Sequence, residues 1–258
     1  MVNDALAGVG VLVTRPKHQA NKLVDAIEAL GGSTIRFPVI EIVPRDTADV
    51  LADANSQEDP DIAIFVSPNA VRHGLSFAGN AQIAVVGPAT ALAIEAAGHS
   101  VDIRPASGFD SEHLLAEPAL EAVQGSNVRI IRGNEGRGLI AETLKSRGAS
   151  VEYLSVYARR APEYSNSELT ELETQWRSGA IDVVTVMSVE SLSNLAELLP
   201  DWCKEQLGQT RLVTPAARVI KEALDRFPGI PATLAGGPQA KDVVRAIAEH
   251  AKTGPGLS

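Results

Sequence analysis

The segment DIAIFVSPNAVRHGL, residues 61–75, combines a buried strand with a helix that follows it directly. Five apolar residues run from Ile62 to Val66, and Ser67-Pro68 then precedes a helical pattern. Serine is a favourable helix N-cap and proline suits the first helical position, so strand and helix meet at a tight turn. A short apolar strand joined to a helix in this way is typical of parallel sheets with crossover helices.

The same order of strand and helix extends along the whole chain. Strands are predicted at 11–13, 34–43, 62–66, 83–86, 101–103, 128–131, 151–157, 182–187, 211–213 and 232–234. Helices are predicted at 20–30, 88–97, 114–123, 139–144, 169–176, 192–199, 219–224 and 243–251. The acidic stretch 46–61 is predicted to be a loop with room for a short helix. Alternation of this kind predicts an α/β fold.

Motifs of the first half return in the second. DIAIFVSPNAV aligns with DVVTVMSVESL, and IAVVGPATALAIEAAG aligns loosely with RLVTPAARVIKEAL. The repeat predicts two similar α/β units, each about one domain long.

Composition and charge exclude several classes of partner. The 258-residue chain is 45% hydrophobic and 21% charged, with a net charge of -9. Recognition of phosphates needs clustered lysine and arginine, so nucleic acid and anionic membranes are not expected. The single cysteine, Cys203, allows no disulfide, and the N-terminal residues lack the basic segment of a signal peptide. Both features fit a cytoplasmic, reducing compartment. The five histidines are scattered, so no metal site is predicted.

The turns between a strand and the next helix share a hydroxyl residue or glycine, usually followed by proline. They read Thr14-Arg15-Pro16, Ser67-Pro68-Asn69, Gly87-Pro88-Ala89-Thr90, Thr214-Pro215-Ala216 and Gly237-Pro238-Gln239, while Ser188-Val189-Glu190 lacks the proline. Taken singly, each turn is explained by efficient helix initiation. Together they lie at the carboxyl ends of parallel strands, where α/β sheets bind ligands. Amides left free after the proline, at the positive end of a helix, predict several sites for anionic groups.

A dinucleotide is a poor alternative ligand. Gly8-Val9-Gly10 precedes the first strand and therefore cannot form a pyrophosphate turn. The segment 132–138, RGNEGRG, follows a strand, but it lacks the Gly-x-Gly-x-x-Gly spacing and places Glu135 against the phosphates.

Seven motifs, in this order, together resemble the uroporphyrinogen-III synthase family. They are VLVTRP, FVSPNAV, VVGPATALAIEAAG, RPASGFDSEHLL, IIRGNEGRGLIAETLKSRGASVEYLSVYAR, VVTVMSVESL and RLVTPAARVIKEAL, and they span nearly the whole chain. The resemblance implies two similar parallel-sheet domains, Rossmann- or flavodoxin-like, joined by a two-strand linker with a cleft between them. The first domain would comprise residues 1–37 plus 163–258 and the second residues 45–153, with linker strands at 38–44 and 154–162. The internal repeat alone would instead suggest two contiguous halves.

The resemblance also implies a reaction. Hydroxymethylbilane, a linear tetrapyrrole polycarboxylate, would be cyclised to uroporphyrinogen III with loss of water and inversion of the terminal pyrrole ring. No metal or organic cofactor is expected. The chain would act as a cytoplasmic monomer, with a transient contact to hydroxymethylbilane synthase and without a nucleic-acid or membrane partner. Its net charge opposes encounter with a polyanion, and local arginines are expected to offset this repulsion.

Site residues follow from the matching motifs. The family's cleft tyrosine corresponds to Tyr157, which would donate a hydrogen bond or a proton to the departing hydroxyl, and Thr90 is the second catalytic candidate. The alternative for Tyr157 is a strand tyrosine that only packs. The candidate substrate-binding residues are Thr14, Arg15, Ser67, Asn69, Ala70, Ala91, Arg132, Gly133, Arg137, Ser188 and Thr214.

Three other classes of protein remain open. A non-catalytic tetrapyrrole- or carboxylate-binding domain of a regulatory protein would share the fold, but no basic DNA-binding extension follows the last helix. A periplasmic-type binding protein would be expected to carry a signal peptide. A receiver-like module needs an acidic pocket at its strand ends, whereas these ends carry serine, threonine and glycine.

Overall fold

The computed structural model describes residues 4–54, 59–134 and 138–251. The chain divides into two compact units: unit 1 comprises Met1–Glu41 and Arg160–Ser258, and unit 2 comprises Ile42–Arg159. Each unit contains a five-stranded sheet, and helices alternate with the strands. The predicted α/β class with two parallel-sheet units is confirmed.

The strands and helices of the described residues are numbered in chain order. The strands are β1 (Gly10–Val13), β2 (Ser33–Arg36), β3 (Glu41–Pro44), β4 (Ile62–Phe65), β5 (Gln82–Val85), β6 (Asn127–Gly133), β7 (Ser150–Arg160), β8 (Val183–Thr185), β9 (Arg211–Thr214) and β10 (Ala232–Leu234). The helices are α1 (Lys17–Glu28), α2 (Thr47–Asp53), α3 (Pro68–Gly74), α4 (Pro88–Ala96), α5 (Ser111–Leu115), α6 (Pro118–Glu121), α7 (Leu139–Ser146), α8 (Asn166–Arg177), α9 (Val189–Leu198), α10 (Asp201–Leu207), α11 (Ala217–Arg226) and α12 (Ala240–Ala251).

The sheet of unit 1 has the strand order β10-β9-β8-β1-β2, and all of its pairings are parallel. From β1 the chain first builds outward to β2 and then returns to the other side of β1 with β8. The order therefore reverses between β1 and β8. In open α/β sheets, a reversal of this kind marks the crevice in which ligands bind, at the carboxyl ends of the strands.

The sheet of unit 2 has the order β3-β7-β6-β4-β5. The pairings of β4 with β5, of β4 with β6 and of β6 with β7 are parallel. Here the order reverses between β4 and β6, where Phe65 pairs with Ile131 in register. All four residues of β4 are buried, and its alternate side chains enter the hydrophobic clusters on opposite faces of the sheet. This explains the uninterrupted apolar run in the sequence, because a central strand covered on both faces has no solvent side.

Some predicted elements differ in the structure. The predicted extended segment 34–43 forms two strands, β2 and β3. Between them, the amides of residues 37 and 39 donate to the Val13 and Thr14 carbonyls at the end of β1. The predicted strand 101–103 makes only one isolated bridge, Ile103 to Ala84, since the Asp102 carboxylate accepts the Ile83 amide in place of a strand partner. The predicted helix 114–123 is divided into α5 and α6 at Pro118, whose ring cannot continue a helix.

Candidate functional site

The strand-order reversal in unit 2 brings two hydroxyl groups together. Ser67, just after β4, is the N-cap of α3, and its Oγ accepts a hydrogen bond from the Ala70 amide at 3.1 Å. The same Oγ lies 3.1 Å from Oη of Tyr157, near the end of β7. Either hydroxyl can be the donor in that pair. The geometry thus links a helix N-terminus to a tyrosine hydroxyl at the carboxyl edge of the sheet.

The position of the Tyr157 ring depends on a glycine in the neighbouring strand. The register between β6 and β7 shifts after Arg132, so that Gly133 pairs with Tyr157. A Cβ on residue 133 would lie 2.7 Å from the ring Cε2 and 2.8 Å from Cζ. The ring also lies beside His73, with 6.0 Å between centroids, and Tyr157 is only 6% exposed. Gly133 therefore leaves the space that the Tyr157 ring occupies.

Arg132 packs against its own strand neighbours. Its guanidinium lies 4.6 Å from the centre of the Tyr153 ring, and Nε donates to the Gly133 carbonyl at 3.1 Å. The stacking leaves the charge of Arg132 without a carboxylate partner among the described residues. Arg137, the other arginine of the segment 132–138 predicted to bind substrate, lies outside the described residues.

The backbone amides predicted to be free carry internal hydrogen bonds. The Ala70 amide is bonded to Ser67, and the amides of Thr90 and Ala91 are bonded to the Gly87 carbonyl. Thr90 is 4% exposed in the first turn of α4. Asn69 is half-buried in the first turn of α3. Side-chain hydroxyls and cations, more than amides, are thus available to a ligand in unit 2.

Unit 1 carries a row of buried threonines where its strands end. Thr14 Oγ1 donates to the Thr185 carbonyl at 2.6 Å, and Thr185 Oγ1 donates to the Leu12 carbonyl at 3.2 Å. Thr214 Oγ1 accepts the Ala216 amide at 3.3 Å. All three threonines are fully or almost fully buried. The hydroxyls of Thr14 and Thr185 join the ends of β1 and β8, whereas the Thr214 hydroxyl binds within the turn that follows β9. Ser188 likewise caps α9, with its Oγ bonded to the Ser191 amide at 3.1 Å.

Arg15 is the prominent charge at the strand-order reversal of unit 1. Its Nη2 lies 2.6 Å from the Pro238 carbonyl oxygen and 3.0 Å from the Met187 sulfur. Its Nε is buried and has no hydrogen-bond partner in the described chain, and no described carboxylate pairs with the guanidinium. Burial lowers the pKa of Arg15. An arginine held in this way presents an uncompensated positive charge suited to an anionic ligand.

Sequence analysis missed the two groups that hold Arg15. Met187 follows β8 and Pro238 follows β10, far from Arg15 along the chain. The sequence offered one signal, because Met187 is the last residue of the predicted strand 182–187 and Pro238 lies in one of the predicted strand-to-helix turns. The described residues contain no cluster of histidine, cysteine and carboxylates able to hold a metal ion. None of the described helices is long and apolar enough to cross a lipid bilayer.

Fold and site together define an α/β protein of two parallel-sheet units, each with hydroxyl and arginine side chains at the carboxyl ends of its strands. A family model described as "Uroporphyrinogen-III synthase HemD" matches residues 21–233. The chain belongs to this family. It is 32% identical over 225 residues to the uroporphyrinogen-III synthase of Escherichia coli (strain K12), which covers 83% of this chain and 90% of that protein. A putative uroporphyrinogen-III synthase of Methanothermobacter thermautotrophicus is 28% identical over 251 residues, covering 92% and 96%.

Solved structures agree on the fold. The uroporphyrinogen-III synthetase of Helicobacter pylori 26695 matches with a TM-score of 0.62 at 12% identity, covering 94% of this chain and 99% of that one. A mutant uroporphyrinogen III synthase from the extremely thermophilic bacterium Thermus thermophilus matches with a TM-score of 0.55 at 18% identity, covering 96% and 100%.

Proposed function

We propose that this protein is a uroporphyrinogen-III synthase that acts on a small polycarboxylate of tetrapyrrole synthesis. It converts hydroxymethylbilane to uroporphyrinogen III and water, with inversion of the terminal pyrrole ring. Family membership and the 32% identity to an enzyme of this name support the assignment.

The hydrogen-bonded pair of Ser67 and Tyr157 carries the mechanistic part of the proposal. The Ala70 amide donates to Ser67 Oγ, which favours the arrangement in which the Ser67 hydroxyl donates to Tyr157 Oη. The Tyr157 proton then points toward the ligand and donates to the departing hydroxyl group of the bilane. The pyrrole nitrogen supplies the electron pair that expels this hydroxyl, and the proton from Tyr157 completes the water molecule.

Carboxylates of the substrate need cationic and hydroxyl partners. We assign Arg15 to one carboxylate, because its guanidinium is partly buried and lacks an acidic partner in the described chain. Arg132 is assigned to a second, since its charge is stacked on Tyr153 and is not neutralised there. Charge-assisted hydrogen bonds of this kind contribute about 1.5–3 kcal/mol each.

Other predicted residues support these contacts. Thr90, at the start of α4, is proposed as the second catalytic residue, and Asn69, Ala70 and Ala91 are proposed as substrate contacts in the first turns of α3 and α4. Arg137, which lies outside the described residues, remains a proposed substrate contact. In unit 1, Thr14, Ser188 and Thr214 shape the strand ends that present Arg15. Catalysis then depends largely on holding the flexible linear tetrapyrrole in the conformation that leads to ring inversion.

The remaining expectations concern the setting of the enzyme. We propose a cytoplasmic monomer that takes its unstable substrate from hydroxymethylbilane synthase through a transient contact. The single buried cysteine, Cys203, fits a reducing compartment.

An isomer assay tests the proposed function. Hydroxymethylbilane is generated in situ, the protein is added, the products are oxidised, and uroporphyrins I and III are separated by chromatography. Without catalysis the bilane closes to the type I isomer, so a predominantly type III product is expected. Type I alone from a folded sample would contradict the assignment and favour a non-catalytic tetrapyrrole-binding domain.

A further inference from the structure

A pocket lies in unit 2 beside α4. Its volume is about 530 Å³, within the range of small-molecule sites, roughly 300–1,000 Å³. One wall is the start of α4, with Gly87, Pro88 and Ala91, and the other is the loop 104–109. Thr90, the second catalytic candidate, lies in the first turn of the same helix but is not among the residues that line the pocket.

Two large apolar side chains of this pocket face solvent. Phe109 is 71% exposed and Leu92 is 65% exposed, more than any other large hydrophobic residues in the described chain. Exposed apolar side chains that are contiguous mark binding surfaces, whereas single scattered ones are normal on protein surfaces. They would gain burial from a flat apolar ligand.

The loop that carries Phe109 is braced on both sides. The Ala106 amide donates to Glu117 Oε1 at 2.7 Å, and Asp110 Oδ1 accepts the His113 amide at 2.9 Å to cap α5. Gly108 has φ of +72°, and a Cβ there would overlap the His113 ring. The exposure of Phe109 therefore follows from a loop conformation that hydrogen bonds on both sides of the residue define.

The polar groups of the pocket are one cation and one carboxylate. Arg104 and Glu95 are both exposed, and their side chains form no hydrogen bond or ion pair with another described residue. The pocket thus offers an aromatic face, a positive charge and a hydrogen-bond acceptor. A pyrrole ring with an acidic side arm has the complementary groups: a flat ring, an N–H donor and a carboxylate.

We propose that this pocket binds one pyrrole ring of the linear tetrapyrrole, an inference that rests on the proposed function. The ring stacks on Phe109 and contacts Leu92, its N–H donates to Glu95, and its carboxylate arm pairs with Arg104. Binding of one ring here leaves the other three rings of the bilane outside the pocket. The pocket thereby contributes substrate affinity and not chemistry.

Four variants test this assignment, two in the pocket and two as controls. Phe109→Ala and Arg104→Gln change the pocket. Leu51→Ala removes another exposed apolar side chain of unit 2, 43% exposed, and Arg245→Gln makes the same charge change on α12. We expect both pocket variants to raise KM for the bilane at least fivefold with kcat within twofold, while both controls keep the wild-type KM.

A binding measurement separates failure of the pocket from failure of the proposed function. A monopyrrole that bears one acetate and one propionate arm is titrated into ¹⁵N-labelled protein. We expect chemical-shift changes at amides in 87–95 and 104–110. We also expect Arg104→Gln to weaken binding of the monopyrrole at least fivefold. An active enzyme whose pocket variants keep the wild-type KM, or shifts confined to other segments, would overturn the inference. If the wild type yields only type I isomer yet shows these shifts, the reaction is wrong and the pyrrole pocket stands.

Discussion

Ser67 Oγ and Tyr157 Oη lie 3.1 Å apart, although Ser67 caps α3, Tyr157 is on β7 and the two residues are far apart in the chain. The pair forms because β6, with Gly133 at its end, separates β4 from β7 and leaves room for the tyrosine ring. The helix N-terminus at Ser67 and the strand tyrosine thereby become one hydrogen-bonded unit. The proposed proton donor thus depends on a turn that also caps a helix.

Gly133→Ala tests the role of space in this arrangement. The new Cβ would lie 2.7 Å from the Tyr157 ring, so the ring must shift from its position beside Ser67. We expect kcat to fall about fivefold or more while the fold remains. The same substitution made in a Tyr157→Phe background should cost little more, because both changes act on one group. Independent, multiplying losses of kcat would show that Gly133 acts elsewhere.

Ser67→Ala separates helix capping from catalysis. Ser67 caps α3 and Ser165 caps α8, so either serine-to-alanine change should lower the free energy of unfolding by about 1 kcal/mol. Only Ser67 also contacts Tyr157, and only Ser67→Ala is expected to lower turnover. Denaturant unfolding and the isomer assay check the two parts. Equal turnover in both variants would leave Ser67 with a capping role alone.

Arg15→Met removes the uncompensated charge of unit 1. Burial lowers the pKa of Arg15, so the charged form opposes folding at neutral pH and the variant should be as stable as the wild type or more so. Loss of a charge-assisted contact of about 1.5–3 kcal/mol should lower kcat/KM roughly 10- to 100-fold. Arg211→Met is the matched control, because Arg211 also has a buried, unpaired Nε but lies at the amino end of β9. Similar kcat/KM losses in both variants would argue against a specific substrate contact.

Cys203 should be chemically inert in the folded protein. It is buried in α10, and burial raises the pKa of its thiol from 9.0 to about 11. The thiol stays protonated below that pH, so iodoacetamide at pH 8 should modify it only after denaturation. Because the unfolded thiol ionises first, this group reduces stability as the pH rises from 9 toward 11. Rapid alkylation of native protein, followed by mass spectrometry, would contradict the burial.

The sequence was sufficient to predict the elements whose pattern is local. The apolar run of β4 and the Ser67-Pro68 turn were predicted correctly because a strand covered on both faces and an N-cap are encoded within a few residues. The short helix α10 was not predicted, since it follows α9 after one turn at Pro200 and shares its apolar spacing. The prediction of a strand at 101–103 was wrong because the Asp102 carboxylate accepts the Ile83 amide, which a strand partner would otherwise bind.

The site was predictable only in outline. Hydroxyl residues at strand ends were identified, but a sequence does not distinguish Thr14, whose hydroxyl is consumed by the Thr185 carbonyl, from Ser67, whose hydroxyl meets Tyr157. That difference depends on the register between neighbouring strands. The environment of Arg15 likewise depends on the loop after β10, which is remote in sequence.

The turnover of Tyr157→Phe tests the central claim most directly. Single-turnover formation of uroporphyrinogen III would be compared for the wild type, Tyr157→Phe and the control Tyr164→Phe, whose hydroxyl donates to the Pro38 carbonyl at 2.7 Å. With all three proteins folded, the proposed proton donor predicts a rate at least tenfold lower for Tyr157→Phe and within twofold of wild type for Tyr164→Phe. A wild-type rate for Tyr157→Phe would contradict the account and leave Tyr157 as a packing residue.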